Sequence, residues 1–279
     1  MDERVHCGTV LIRAPLSTTS VLDEAADTVR LTAPWTAVLI LTALPYRFLQ
    51  AMFFDQLLEV GSSASQYGNL LGATANLIVA SLLLALWGRA VYARACRLAI
   101  ARGDAPGRAA WRVPPAAYAS YVLTASAMIF AGYLALYTIV GFIVTVMFAG
   151  LAIGTMELNE RVGVFAPFRV MARYAKSIAV PLALVFIFFI ALLVALVNLW
   201  AAFNLVKALM TAIGGFDAPR WPLLFGPGNR RFTLIVIAGA ILLVEPFWIA
   251  AYVVFVRKAG AQESGDDLRA WFAELRRAS

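Results

Sequence analysis

Residues 116–155 read AAYASYVLTASAMIFAGYLALYTIVGFIVTVMFAGLAIGT and contain no charged side chain, and this stretch decides the fold. As one α-helix it would rise about 60 Å, roughly twice the thickness of the hydrocarbon core of a bilayer. Two membrane spans joined by a tight turn near residues 136–141 account for its length. We therefore predict a helical hairpin inside a membrane.

The chain on either side of this stretch has the same apolar character. Of its 279 residues, 62% are hydrophobic and 14% are charged, whereas soluble domains are about half apolar and a quarter charged. The apolar residues fall in runs of about 20, the length that crosses a bilayer core. The predicted fold is all-α, a polytopic transmembrane helical bundle that forms one domain over residues 34–256. Its six spans are expected at about 34–54, 69–90, 116–136, 139–157, 178–200 and 232–256.

Both ends of the chain carry amphipathic segments, which we expect to lie on the membrane surface. Residues 1–33 comprise a tail and an interfacial helix over 20–31, where Ser20 and Asp23 form a capping-box pattern. Residues 257–279 include a helix that begins at Ser264 and bears one apolar stripe. The residues predicted to meet lipid or a partner there are Arg269, Trp271, Phe272, Arg276 and Arg277.

Basic residues are distributed unevenly between the two sides of this bundle. With both termini in the cytoplasm, 18 of the 23 Lys and Arg residues lie on the cytoplasmic side, four lie outside, and Arg47 lies within span 1. We predict this orientation because cytoplasmic loops are enriched in Lys and Arg. The expected partners are membrane lipids with anionic headgroups, and a membrane or cytoplasmic protein. Nucleic acid is not expected, since no basic stripe is interleaved with exposed aromatic residues.

Few residues have the chemistry for catalysis or metal binding. The chain has a single histidine, His6, and two cysteines, Cys7 and Cys96, both predicted on the reducing cytoplasmic side. The sequence contains no spacing typical of a metal site, a phosphate-binding loop or an intramembrane protease. We therefore predict no catalytic residue, no metal and no cofactor.

Two charged residues, Arg47 and Glu245, lie well inside predicted spans. A charge within the bilayer costs about 2.5–3.5 kcal/mol on insertion scales and often marks a function. Each lies beside a proline, Pro45 or Pro246, which removes a helical hydrogen bond and bends the span. The candidate intramembrane polar site consists of Arg47, Glu245, Gln50 and Asn198.

Three interpretations of this charged pair are open. In the first, Arg47 extends toward Asp55 and the headgroups, while Glu245 is neutral or meets a cytoplasmic arginine. In the second, the two residues form a structural bridge, although their predicted depths differ by roughly 10 Å, near the reach of an extended arginine. In the third, they serve transport or catalysis.

Three local patterns resemble a family of bacterial membrane proteins. They are VLDEAADTVR at 21–30, MELNERVGVFAPFRVMARYAKS at 156–177 and EPFWIAAYVVFVRKAGAQESGDDL at 245–268. These are similar to segments of the YciC-like proteins and of the membrane domain that precedes some glycerophosphodiester phosphodiesterases. The chain departs from the family at Arg47, and at 255–258, where relatives often show an acidic residue. The resemblance implies a six-helix domain of the bacterial cytoplasmic (inner) membrane and brings no established activity.

These observations favour a non-enzymatic accessory or scaffold protein, whose cytoplasmic surface helices meet lipid headgroups or a protein partner. The alternative is a small-solute or ion transporter, or a channel subunit, built on the kinked spans 1 and 6. A lipid-modifying enzyme is a third and weaker interpretation.

Overall fold

The structure is a computed structural model that describes residues 16–60, 64–135, 138–158, 166–175, 178–214 and 228–265. All regular structure in these ranges is helical, so the all-α prediction is confirmed for this part of the chain. Two short 3-10 helices occur at Arg108–Trp111 and Met156–Leu158. The eight α-helices within the described ranges are α1 (Thr18–Leu31), α2 (Ala33–Val60), α3 (Ala64–Arg102), α4 (Pro115–Ala135), α5 (Ile139–Gly154), α6 (Ala166–Ala175), α7 (Ala179–Gly214) and α8 (Arg230–Ser264).

Four of these helices are long and apolar enough to cross a membrane, which suggests a membrane protein. The qualifying segments are Ala33–Gln56, Ala75–Arg102, Ala179–Ile213 and Arg230–Ser264. They correspond to the predicted spans 1, 2, 5 and 6. The apolar helix α5 has 16 residues and rises about 24 Å, less than a typical bilayer core. Length and composition therefore establish four candidate spans, and a count of six goes beyond them.

Helices α4 and α5 form the hairpin predicted for the charge-free stretch. The two helices pack against each other, and a methyl group added at Gly132 would lie 3.3 Å from Cγ2 of Thr145. Because Gly132 lies shortly before the connection and Thr145 shortly after it, the helices run antiparallel. The connection between Ala135 and Ile139 overlaps the predicted turn.

Three helices extend well beyond the predicted spans. Helix α3 continues through the basic segment to Arg102, α7 continues to Gly214, and α8 continues to Ser264. At 1.5 Å per residue they are about 50–60 Å long, more than the ~40–45 Å of a bilayer with its headgroups. Hydropathy marks where a helix is apolar, but helical hydrogen bonding continues into polar sequence. Ser264 ends α8, and Gly265 follows it at a φ of +70° that favours glycine. The rest of the helix predicted from Ser264 onward lies outside the described residues.

The chain divides into two compact units. Unit 1 consists of Met1–Leu39, Leu86–Ile187 and Pro246–Ser279, and unit 2 consists of Ile40–Ala85 and Phe188–Glu245. Each of the long helices α2, α3, α7 and α8 contributes one part to each unit.

Helices α5 and α8 pack closely against each other in the core of unit 1. Tyr252 is fully buried, and its hydroxyl donates a hydrogen bond of 3.1 Å to the carbonyl oxygen of Pro181. Gly150 lies against the Tyr252 ring, and a methyl group added at Gly154 would lie 2.8 Å from the Tyr252 carbonyl oxygen. The GxxxG spacing on α5 therefore permits a close helix approach, as it does in other membrane bundles.

Helix α1 packs into unit 1 through one face. Its buried residues are Val21, Ala25 and Thr28. The helix begins one turn earlier than the capping pattern predicted, because Ser17 and Ser20 form the capping box. Ser17 Oγ accepts the Ser20 N–H at 3.2 Å, and Ser20 Oγ accepts the Ser17 N–H at 3.3 Å. The predicted box of Ser20 with Asp23 is therefore wrong, since Ser17 supplies the same chemistry first.

The core of unit 2 joins parts of α2, α3 and α8. Its members are Ala43, Tyr46, Ala85 and Leu242, with the partly buried Ile78 and Leu82 packed against them. The ring of Phe232 on α8 contacts Trp200 and Phe203 on α7, with ring centroids 5.4 and 5.2 Å apart. The cluster of Ala43, Tyr46, Ala85 and Leu242 brings α2 and α8 together near the candidate site at Arg47 and Glu245.

Candidate functional site

Arg47 lies near the middle of α2, two residues after Pro45. Pro45 has no N–H, so the carbonyl group of Leu41 loses its helical donor. The guanidinium carbon of Arg47 lies 5.7 Å from the ring centroid of Tyr46, which is buried in the core of unit 2. The Arg47 side chain is 13% exposed, so its charge is largely withdrawn from the surface.

Glu245 is the acidic partner of Arg47. It precedes Pro246 on α8, and its side chain is 3% exposed. Arg47 Nη2 lies 3.5 Å from Glu245 Oε2, and Arg47 Nη1 donates a hydrogen bond of 2.8 Å to Gln50 Oε1. Unit 2 therefore brings together three of the four residues of the predicted intramembrane site.

In the structure Arg47 and Glu245 lie at similar depths, whereas the sequence predicted different depths for the pair. Helix α2 ends at Val60, six residues beyond the predicted end of span 1. Measured from Val60, Arg47 lies about 20 Å along α2, and measured from Arg230, Glu245 lies about 22 Å along α8. The two depths agree, and the geometry matches the interpretation of a bridge between helices.

The hydrogen bonding of Arg47 is incomplete. Its Nε atom is buried and has no hydrogen-bond partner among the described residues. The 3.5 Å contact with Glu245 is longer than the roughly 2.7–2.9 Å of a strong charge-assisted hydrogen bond. The pair therefore retains capacity for one further acceptor at Nε.

A second ion cluster joins α2 and α8 within unit 2. The Asp55 side chain is 3% exposed and accepts hydrogen bonds from Nε of Arg230 at 2.7 Å and Nε of Arg231 at 2.6 Å. The first interpretation, in which Arg47 extends toward Asp55, is therefore wrong. Both oxygens of Asp55 are bound by arginines of α8, and Arg47 turns to Gln50 and Glu245.

The two clusters have opposite polarity. Helix α2 contributes a cation at Arg47 and an anion at Asp55, whereas α8 contributes an anion at Glu245 and cations at Arg230 and Arg231. Arg47 and Asp55 are eight residues apart and lie on one face of α2. A shift of either helix would separate both sets of opposite charges, so the pattern selects one register.

The remaining predicted site residues are not part of this group. The side chain of Asn198 is exposed on α7. Helix α7 is apolar on nearly all sides, so its sequence does not indicate which face turns inward. The predicted lipid or partner surface lies outside the described residues, namely Arg269, Trp271, Phe272, Arg276 and Arg277.

An ion pair in unit 1 was missed by the sequence analysis. The ammonium of Lys258 on α8 pairs with the carboxylate of Glu24 on α1, and their side chains are 8% and 19% exposed. The amphipathic pattern of residues 20–31 predicts that Glu24 lies on the polar face of α1 with Asp23, Asp27 and Arg30. On the helix surface Glu24 lies next to the buried Val21 and Thr28, at i−3 and i+4, and this position is an indication that it turns inward.

A cluster of three tryptophans in unit 1 was also missed. Trp111 stacks on Trp87 with ring centroids 5.5 Å apart, and its ring lies 5.1 Å from that of Trp35. The indole N–H of Trp35 donates to the Pro106 carbonyl oxygen at 3.2 Å, and Arg94 Nε donates to the Ala109 carbonyl oxygen at 3.1 Å. The basic connection between α3 and α4 is thereby held in place. Tryptophans are enriched where membrane proteins meet headgroups.

In the described ranges, no group of three or more His, Cys, Asp or Glu side chains is placed to hold a metal ion. Cys96 is buried with a free thiol.

Comparison with known proteins finds no match to a family model, to a curated protein or to a solved structure.

Proposed function

We propose that this chain is a multi-pass protein of the bacterial cytoplasmic membrane that acts as a non-enzymatic accessory or scaffold. The single observation that carries the proposal is the pairing of Arg47 with Glu245 inside unit 2. An ion pair between two neighbouring helices holds them together, and this role requires no substrate. A second cluster, in which Asp55 binds Arg230 and Arg231, supports the same use.

The proposed topology has six spans and cytoplasmic termini. The four long apolar helices supply four spans, and the antiparallel α4–α5 hairpin supplies the other two. The excess of Lys and Arg on one side supports the orientation. Membership of the YciC-like family is proposed on the same footing, from the three segments that resemble it.

Cysteine labelling in intact cells tests this topology. In a chain with Cys7→Ser and Cys96→Ala, one cysteine is introduced at Arg108 or at Gly228, both of which are exposed. A membrane-impermeant maleimide is expected to label position 228 in intact bacteria and position 108 only after permeabilisation. Labelling of position 108 in intact cells would reverse the orientation.

The scaffold function is tested by partner capture. The C-terminal segment 266–279 carries the predicted partner surface, and α8 is complete without it. Cross-linked full-length chain is expected to co-purify a protein partner that the chain truncated after Gly265 loses. Full-length Arg30→Gln, which changes a side chain 85% exposed on α1, serves as the control and is expected to keep the partner. Unchanged association after truncation, with an unchanged phenotype, would sink the scaffold proposal.

A transporter or channel subunit is the second candidate, and it is favoured by the loose geometry of Arg47. The 3.5 Å contact with Glu245 and the buried Nε, which has no partner among the described residues, leave hydrogen-bonding capacity for a small anion or water. Ion flux into proteoliposomes tests it. A flux that wild type supports and Glu245→Gln abolishes, with the helical circular dichroism unchanged, would favour transport over the scaffold.

A further inference from the structure

Near the end of α8 in unit 1, the described residues include more basic than acidic side chains. Lys258 pairs with Glu24, and both side chains are largely buried. Glu24 also acts electrostatically on the neighbouring Arg257. The group of Glu24, Arg257 and Lys258 therefore contains one acidic and two basic side chains, which is a formal net charge of +1.

The guanidinium group of Arg257 includes a nitrogen that makes no hydrogen bond to a described residue. Its Nη1 atom is buried and has no hydrogen-bond partner among the described residues. A buried positive charge is costly unless an opposite charge and hydrogen bonds compensate it. The planar guanidinium group of arginine presents paired N–H donors that match two oxygens of a phosphate.

Two further arginines, Arg97 of α3 and Arg173 of α6, lie near the part of α8 that follows Arg257. A methyl group added at Gly260 would lie 3.2 Å from the hydroxyl of Tyr174, so α6 packs on this part of α8. The charged residues that act electrostatically on Tyr174 are Arg97, Arg173 and Glu263. Part of the Arg97 charge is used at the end of α5, where its Nη2 donates to the carbonyl oxygens of Ile153 and Gly154. Among the described residues around Tyr174, two basic side chains and one acidic side chain therefore add one formal positive charge.

We propose that Arg257 and Lys258, beside Glu24, bind the phosphate of an anionic phospholipid headgroup. This inference rests on the proposed membrane location and names the lipid partner of the scaffold. Lipid phosphate is the anion that a membrane supplies at the end of a span, and basic pockets between spans bind such headgroups. The tryptophan cluster of Trp35, Trp87 and Trp111, in the same unit, is typical of the headgroup level. A headgroup with one negative charge, such as phosphatidylglycerol, matches the net charge of the group.

Native mass spectrometry of the full chain in detergent tests the proposal. The probes are dioleoylphosphatidylglycerol and dioleoylphosphatidylcholine, which differ in net charge and share their acyl chains. Wild type is expected to bind the glycerol lipid about fivefold more tightly, the factor for one basic residue near an anionic lipid. Arg257→Gln is expected to remove the preference. Arg30→Gln makes the same change at an exposed arginine and is expected to keep it.

Two further variants decide the result if Arg257→Gln does not fold. Arg257→Lys retains the charge and is expected to retain the preference for the anionic lipid. Glu24→Gln removes the carboxylate that competes with the phosphate and is expected to strengthen the preference. An equal affinity of wild type for both lipids, or an unchanged preference in Arg257→Gln or Glu24→Gln, overturns the proposal.

Inorganic phosphate alone is the third probe, because it shares the chemistry of the headgroup. If it raises the thermal stability of wild type but not of Arg257→Gln, and no lipid preference is seen, the group binds a soluble anion and the lipid assignment is wrong. Failure of the lipid test leaves the partner-capture result unaffected, so the two proposals fail separately.

Discussion

Arg47 on α2 and Glu245 on α8 are 198 residues apart in sequence, yet Arg47 Nη2 lies 3.5 Å from Glu245 Oε2 in the core of unit 2. Both residues lie beside a proline inside a continuous helix. The proline-bearing segments of the two helices are therefore tied by opposite charges. In a low-dielectric interior each charge is tolerated because the other is present.

The buried pair in unit 1 provides a stability prediction. Lys258→Met should lower the free energy of unfolding by about 3 kcal/mol, because it leaves the Glu24 carboxylate with reduced compensation in a buried position. Unfolding in mixed detergent micelles, followed by circular dichroism, measures the change.

The exposed pair of Asp27 and Arg30 on α1 is the matched control, since its side chains are 75% and 85% exposed. Asp27→Asn should change the free energy of unfolding by less than about 1 kcal/mol. Equal losses in Lys258→Met and Asp27→Asn would contradict the burial argument.

The helix contact at Gly150 gives a second prediction. Gly150→Ala places a methyl group against the ring of Tyr252, so the helices α5 and α8 must separate. Overpacking of this kind costs about 1–3 kcal/mol, and the melting temperature in detergent should fall accordingly.

Gly107→Ala is the control for this substitution. A methyl group at Gly107 meets nothing within 4 Å, so little change in melting temperature is expected. A Gly150→Ala protein as stable as wild type would show that α5 and α8 are not in close contact.

The cluster of Asp55, Arg230 and Arg231 predicts how single and double substitutions rank in their effect on the melting temperature. Arg230 and Arg231 each bind one oxygen of Asp55, so either one alone retains a bridge between α2 and α8. Arg230→Gln and Arg231→Gln should each lower the melting temperature slightly, and the double variant should lower it as much as Asp55→Asn. A large loss in one single variant, with none in the other, would assign the bridge to one arginine only.

The sequence predicts the helices of this chain better than it predicts their partners. The charge-free stretch at 116–155 correctly indicates the α4–α5 hairpin, because length and polarity alone determine it. Gly150 and Gly154 have the GxxxG spacing typical of a close helix approach, which the structure shows, but the sequence does not reveal that the partner is Tyr252. Pairing depends on the rotation of each helix about its axis, which an almost uniformly apolar sequence leaves undetermined.

The errors at the candidate site have the same origin. The sequence predicts different membrane depths for Arg47 and Glu245 because the apolar run of span 1 ends early. In the structure α2 continues beyond this run to Val60. Asn198 was included because it is polar within a span, and the structure leaves it exposed. The sequence predicts Glu24 on the surface because a carboxylate on an amphipathic helix is usually solvated. In the structure Glu24 is largely buried and pairs with Lys258.

The pairing of Arg47 with Glu245 as a structural bridge is tested most directly by a double-mutant cycle. Four proteins are unfolded under identical conditions in detergent: wild type, Arg47→Leu, Glu245→Leu, and the double variant. Each single substitution should cost about 3 kcal/mol, because it leaves one buried charge without its partner. The double variant should recover most of that loss, since both charges are gone and apolar side chains fill the site. Additive losses in the double variant, or single variants as stable as wild type, would contradict a structural bridge between α2 and α8.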